Sequence, residues 1–296
     1  MRHDESLGNR VTFHAMPFLM LVGAIMSLGA GFYLPPFVLL SAVFTLCILG
    51  LSQLKSVRLN PSDARFVLVP AVVFCLGTLT EYHLAPAFYD QAYHLQISNR
   101  ILDAWTWQPT HQGMDYSFRP EIVSGIAAVE LFLTGRVTTG YVVPTMLLIT
   151  SAWSIQHFAE HLTDKRFGFL AAVVFCTFPV TIMYGRTLML DTVLAGMVIA
   201  TLHLLITAKD HQHRAFVSVG VLSAIAGLTK YAYLYLGPWI ALMLLATKKK
   251  HPAKCIIYGY VPFLVLFMLK NQIWTGAPFG PLQSQLTGTM ASVSAL

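Results

Sequence analysis

The sequence predicts an all-α integral membrane protein. The expected architecture is a polytopic helical bundle of about nine transmembrane helices, with one large external loop carrying amphipathic juxtamembrane helices. Three observations predict it. First, 56% of the 296 residues are hydrophobic and only 11% are charged, whereas an ordinary soluble domain carries about 25% charged residues. With a mean hydropathy of +0.63, the polar surface that a soluble globule of this length needs is missing. Second, the apolar residues are gathered into stretches of about 17–25, long enough to cross a hydrocarbon layer as helices. Third, Lys and Arg concentrate in alternate loops, as the positive-inside rule requires. The same composition excludes a disordered chain, a collagen-like repeat and a nucleic-acid-binding domain. The formal charge of +6 reflects where the cations sit, and no nucleic-acid partner is expected. Cys47, Cys75, Cys176 and Cys255 all lie in apolar runs without CxxC spacing, so their pattern indicates neither a zinc site nor a disulfide frame.

The expected spans are roughly 15–33, 35–54, 66–80, 137–160, 168–185, 190–208, 214–229, 232–247 and 254–270. The first is too long, and too closely followed by a second, for a cleaved signal peptide. The apolar stretch 121–134 contains Glu121 and Glu130. Two carboxylates so close together are costly in lipid, so an interfacial helix is expected there. With the N-terminus inside, thirteen of the 19 Lys and Arg residues fall on the inner side, the run Lys248–Lys250 contributing most. Arg100, Arg119, Arg136, Arg186, Lys230 and Lys270 fall outside. Loop 81–136 is then external, with residues such as Ala92, Leu95, Ile97, Ile101 and Leu102 at helical spacing and Trp105 and Trp107 as anchors. That pattern predicts a short amphipathic helix on the outer leaflet.

Four external features carry chemistry. Phe88–His94 places Asp90 at the mouth of a helix, with Tyr93 close by and His94 one turn on, on the same face. A carboxylate there can accept a proton or help to hold a divalent cation; the plain alternative is a helix N-cap. Tyr184–Asp191 brings Arg186 and Asp191 into an apolar run, where ionisable groups are functional candidates; an Arg186–Asp191 ion pair closing the turn is the alternative. Lys230, in Leu228-Thr229-Lys230-Tyr231, lies on the side where few cations are expected and suits a phosphate, with snorkelling as the competitor. The segment Lys270–Pro281, containing Asn271, has the Gly/Pro punctuation of a turn. Together, separated carboxylates with Arg186, Lys230 and Arg119 suit a lipid-borne phosphate at the outer leaflet.

The sequence resembles the polytopic GT-C glycosyltransferases, in the branch of protein O-mannosyltransferases and lipid A aminoarabinose transferases. The matching elements are Asp90-Gln91-Ala92-Tyr93, the Arg186…Asp191 turn, Leu228-Thr229-Lys230, and the exit Asn271…Thr275-Gly276-Ala277-Pro278-Phe279. Their order fits from about residue 65 to 282. The resemblance implies a membrane enzyme that moves a sugar from a polyprenyl-phosphate donor (dolichyl or undecaprenyl) to a glycan, lipid or protein acceptor on the external face, in a bacterial or archaeal cytoplasmic membrane. It implies Asp90 as the base, Asp191 as a second acidic position, Arg186 and Lys230 as phosphate anchors with Arg119 near the donor, and Tyr93, His94 and Asn271 in support.

These elements fix no cofactor; a divalent metal on Asp90, Asp191 or His94 stays open, although Gln91, standing where relatives carry an acidic neighbour, removes one candidate ligand. Residues 1–64 are expected to form two added N-terminal helices, 65–282 the catalytic module and 283–296 an external tail. The chain stops soon after the exit motif, which suggests a compact member, a truncated one, or one that completes its acceptor site with a partner subunit. The alternatives to an enzyme are a transporter or flippase for a lipid-linked or anionic solute, and a non-catalytic structural subunit.

Overall fold

The computed structural model describes residues 20–26, 28–29, 34, 38–45, 96–99, 122–134, 142–184, 190–209, 212–275 and 277–279. Among these residues there is no strand. The elements, in chain order, are α1 (Ile122–Thr134), α2 (Val142–Leu162), α3 (Lys165–Thr177), α4 (Pro179–Tyr184), α5 (Leu190–Thr207), α6 (His213–Thr229), a 3₁₀ turn (Tyr231–Tyr233), α7 (Leu236–Ala246) and α8 (Lys250–Thr275). Residues 20–26 and 38–45 are helical as well. The expected span 66–80, the tail 283–296 and most of loop 81–136 lie outside the described residues.

Local chemistry sets the helix boundaries. Asp164 caps α3, its carboxylate accepting from the backbone N–H groups of Arg166 and Phe167, both at 2.8 Å. The apolar run expected as one span over 168–185 is broken at Phe178, which adopts an extended conformation (φ −64°, ψ 130°). Pro179 follows, and the steric demand of its ring drives the preceding residue out of the helical region. At the other end of α7 the chain reverses through Lys248, which has a positive φ of 63°. Lys249 N–H bonds to Leu244 O at 2.8 Å and Lys248 N–H to Leu245 O at 3.0 Å, the paired bonds of a Schellman cap built on a lysine in place of the usual glycine. The basic run is therefore a tight reversal that launches α8 immediately.

Tertiary contacts define the direction of each helix. Gly168 near the start of α3 packs against Glu160 near the end of α2, so these two are antiparallel. The His157 and His203 rings lie 6.1 Å apart, so α2 and α5 run the same way. The most extensive contact is α6 against α8, and it is parallel. Gly220 sits on the Ile256 carbonyl, Gly259 sits on the Val217 carbonyl, and Tyr231 meets Phe267 with ring centroids 5.8 Å apart. A Cβ on either glycine would collide with backbone, so these two positions permit the close approach. The core gathers Met197, Leu204, Phe216, Val219, Ile225 and Phe267, among others, from α5, α6 and α8.

The outward faces are apolar. Phe167, Leu170 and Val174 on α3, Trp239 and Leu242 on α7, and Tyr258 and Leu269 on α8 are each at least half exposed. Large contiguous apolar surface of this kind calls for a non-aqueous neighbour. Among the described residues, Lys250–Ile273 alone is both long and apolar enough to cross a membrane by itself. The shorter apolar helices are Ile122–Leu133, Val193–Thr207, His213–Thr229 and Tyr231–Ala246. Pro262 lies inside α8, a position tolerated in membrane helices because neighbouring groups re-satisfy the freed carbonyl.

The stretch 121–134 differs from the expected interfacial helix. Ile122, Val123, Ser124 and Ala128 of α1 are completely buried, and Glu130 is only 8% exposed. The cause is small side chains: Gly125 seats on the Gly23 carbonyl, and Gly23 seats on the Ile122 carbonyl, so residues 20–26 cover the helix face to face. The described part of the expected loop helix, residues 96–99, is helical. It packs beneath α1 through buried Ile97, and Ser98 Oγ donates to Ser124 O at 3.0 Å.

Candidate functional site

At one end of the bundle α5 begins, α6 ends and α8 emerges. Asp191 lies in the first turn of α5, where unpaired backbone N–H groups favour a carboxylate. Lys230 is the C-cap of α6, in an extended conformation (φ −145°, ψ 118°) that stops the helix. A cation at the negative end of a helix is again a favourable placement. The two side chains join across 39 residues of sequence, Lys230 Nζ donating to Asp191 Oδ1 at 2.8 Å. Neither is enclosed: the side chains are 47% and 67% exposed.

The scaffold around Lys230 is tightly built. Leu234 closes on Gly227, where a Cβ would approach the Leu234 Cα to 2.8 Å. Tyr260 Oη of α8 donates to Leu234 O, fixing the connection between α6 and α7. Tyr231, next to Lys230, packs on Phe267. One turn beyond Phe267, Lys270 and Asn271 are buried, at 2% and 1% exposure. Asn271 Nδ2 donates to Pro278 O at 3.3 Å, which folds the exit segment back over the end of α8.

This end therefore holds a carboxylate and an ammonium at the rim, with a second lysine and an amide set into the helix ends behind them. An ammonium has three donors; one is committed to Asp191, which leaves Lys230 able to hold an anion while its position is fixed. The structure thus brings Asp191 and Lys230 together and places Asn271 at the same end. Asp90, Tyr93, His94, Arg119 and Arg186 lie outside the described residues. Lys270 received no role from sequence alone. Its signal was present as a cation inside an apolar helix, masked by an adjoining turn pattern.

A family model described as dolichyl-phosphate-mannose-protein mannosyltransferase matches residues 120–274. That interval runs from α1 to the exit of α8 and includes both members of the ion pair. The chain belongs to that family. Its members are integral membrane proteins, and the apolar flanks of α3, α7 and α8 agree with that setting. The chain is thus of the membrane glycosyltransferase type with the GT-C fold. No curated protein and no solved structure matches it.

Proposed function

We propose that the protein transfers a sugar from a polyprenyl-phosphate donor to an acceptor at the Asp191–Lys230 end of the bundle, which faces the external side of the membrane. The observation that carries this is the Lys230–Asp191 contact at 2.8 Å at a helix end within the family-matched interval. A half-exposed ammonium, oriented by a carboxylate and lying where helices meet the membrane boundary, suits the phosphate of a lipid whose tail lies along the apolar flank.

In the proposed reaction the acceptor hydroxyl oxygen attacks the anomeric carbon while the bond from that carbon to the phosphate oxygen breaks. The electron pair leaves with the polyprenyl phosphate, and Lys230 and Arg186 stabilise the developing charge. Asp90 takes the hydroxyl proton. Asp191 holds Lys230 in place and is the second acidic candidate; Arg119, Tyr93, His94 and Asn271 are supporting positions. Asp90, Asp191 and His94 are the residues that would hold a divalent metal on this face, if one takes part. The exposed charges of the described residues gather at the two ends of the helices, while Glu130, His157 and His203 are buried within them; the Lys230–Asp191 contact at one end is what favours transfer over transport.

The test is donor turnover by the purified full chain in proteoliposomes containing a polyprenyl-phosphate sugar and a mixture of acceptors. Release of polyprenyl phosphate, reduced in Lys230→Ala, is the expected result. Donor transbilayer movement without release of polyprenyl phosphate would instead establish a flippase.

A further inference from the structure

The opposite end of the bundle carries a second constellation. Helices α6 and α8 both start there, and their parallel packing sets His213, the first residue of α6, beside His251 near the start of α8. The two imidazole rings have centroids 4.3 Å apart and planes inclined by 34°. One turn along α8, Cys255 Sγ lies 3.5 Å from His251 Nδ1. The ligand atoms of His213, His251 and Cys255 all lie within 4.8 Å of one another. Both histidines are exposed, and Cys255 is a free, buried thiol.

We propose that His213, His251 and Cys255 form a binding site for a thiolate-preferring transition-metal ion of the zinc(II) class, with solvent in the fourth position. Metal–nitrogen bonds of about 2.0–2.1 Å and metal–sulfur bonds of about 2.3 Å place tetrahedral ligands roughly 3.4–3.7 Å apart. The His251–Cys255 pair already has that separation. The widest pair needs to close by about 1 Å on that geometry, within reach of imidazole rotation on exposed side chains. The backbones beneath are held: Gly220 on Ile256 and Gly259 on Val217 fix the distance between α6 and α8 within two to three turns of the site.

The surroundings select the kind of cation. Arg214, Lys248, Lys249, Lys250 and Lys254 are all exposed around the two helix starts. Neighbouring cations repel a bare cation, so an ion held here has to gain covalent bonds to sulfur and nitrogen. Magnesium and calcium require oxygen ligands, and the described group offers two imidazoles and a sulfur, which match zinc, cobalt(II) and copper(I). The site lies the full length of α6 from Lys230, about 25 Å at 1.5 Å per residue, so it takes no part in chemistry at that end. Its occupancy would pin the start of α6 to the start of α8.

The experiment uses the purified full chain in detergent with its affinity tag removed, titrated with cobalt(II) and then zinc(II). One equivalent of cobalt should bind, with a thiolate-to-cobalt charge-transfer band and the visible bands of a tetrahedral ion, displaced by zinc. Cys255→Ser should abolish the charge-transfer band. His213→Ala, which changes an exposed side chain, should weaken zinc binding by more than the 10–100-fold typical of outer-shell changes. Cys176→Ser should leave spectrum and affinity unaltered. The proposal is overturned by absence of the band in the parent, by its survival in Cys255→Ser, by its loss in Cys176→Ser, or by unchanged affinity in His213→Ala. These outcomes do not depend on donor turnover.

Discussion

The two ends of the helical bundle are built from the same helices yet do opposite things with charge. At one end a single carboxylate and a single ammonium meet, Asp191 with Lys230 at 2.8 Å, and Lys270 and Asn271 are set into the helix ends behind them. At the other, Lys248, Lys249, Lys250, Lys254 and Arg214 surround His213, His251 and Cys255, with no acidic residue among the described residues of the same turns. The first end has few described charges, and its one ion pair, Asp191 with Lys230, is positioned by two helix termini. The second has many, mostly basic and spread over a tight reversal. An ion pair that the fold brings together from distant sequence is a candidate site, whereas a basic excess on a loop bears on which side of a membrane that loop occupies. The proposed function assigns chemistry to the first end and leaves orientation in the membrane to the second.

The largest expected effect concerns the proposed base. Asn caps a helix as well as Asp does but cannot take a proton, so Asp90→Asn should insert, fold and bind donor normally while turnover falls by about 10²–10⁴. Single-turnover measurement with saturating donor reads this directly. Full activity would remove Asp90 from the chemistry and shift that role to Asp191.

Next comes the phosphate contact. Losing a charge-assisted hydrogen bond should cost about 1.5–3 kcal/mol, so Lys230→Ala and Arg186→Ala should each lower donor affinity roughly tenfold or more. Lys248→Ala, at the basic end, should leave donor affinity unchanged. Equal effects of Lys230→Ala and Lys248→Ala would erase the distinction between the ends.

A third effect reads the scaffold that joins them. Alanine is normally preferred over glycine in a helix by about 1 kcal/mol, so Gly220→Ala in an open helix should stabilise. Here the new methyl meets the Ile256 carbonyl, which cannot rotate away. Overpacking of this kind costs about 1–3 kcal/mol. Thermal unfolding in detergent should therefore show a lower midpoint for Gly220→Ala and for Gly259→Ala, and a higher midpoint in either would show that α6 and α8 can separate freely.

What was legible in the sequence follows from the range of the interactions. Helices α2, α5, α6 and α8 coincide with long apolar runs because hydropathy is a local property. The break between α3 and α4 was available in the Phe178-Pro179 pair, yet continuous hydrophobicity concealed it. Helix α1 was misplaced because two glutamates outweighed its small residues, and only the partner segment 20–26 reveals what Gly125 accommodates. The pairing of Asp191 with Lys230 was beyond reach: each was identified alone, but their contact depends on the antiparallel packing of α5 and α6. The same holds for His213 and His251, whose shared location comes from a parallel helix pair that no spacing rule encodes.

The smallest effect separates a positioning role for Asp191 from a catalytic one. With both side chains about half exposed or more, the ion pair should contribute only about 0.2–1 kcal/mol. Asp191→Asn removes the charge and keeps an acceptor oxygen within reach of Lys230. If Asp191 only orients Lys230, donor affinity should fall by less than about fivefold, the effect should shrink as salt screens the pair, and turnover at saturating donor should be unchanged. The loss should also vanish in a Lys230→Ala background, because an orienting group has nothing left to orient; a double-mutant cycle on donor affinity measures that coupling. If Asp191 instead takes the acceptor proton, Asp191→Asn abolishes turnover whatever residue stands at 230, and donor affinity is preserved. The two roles therefore move different observables, and the cycle decides between them even though the energy at stake is small.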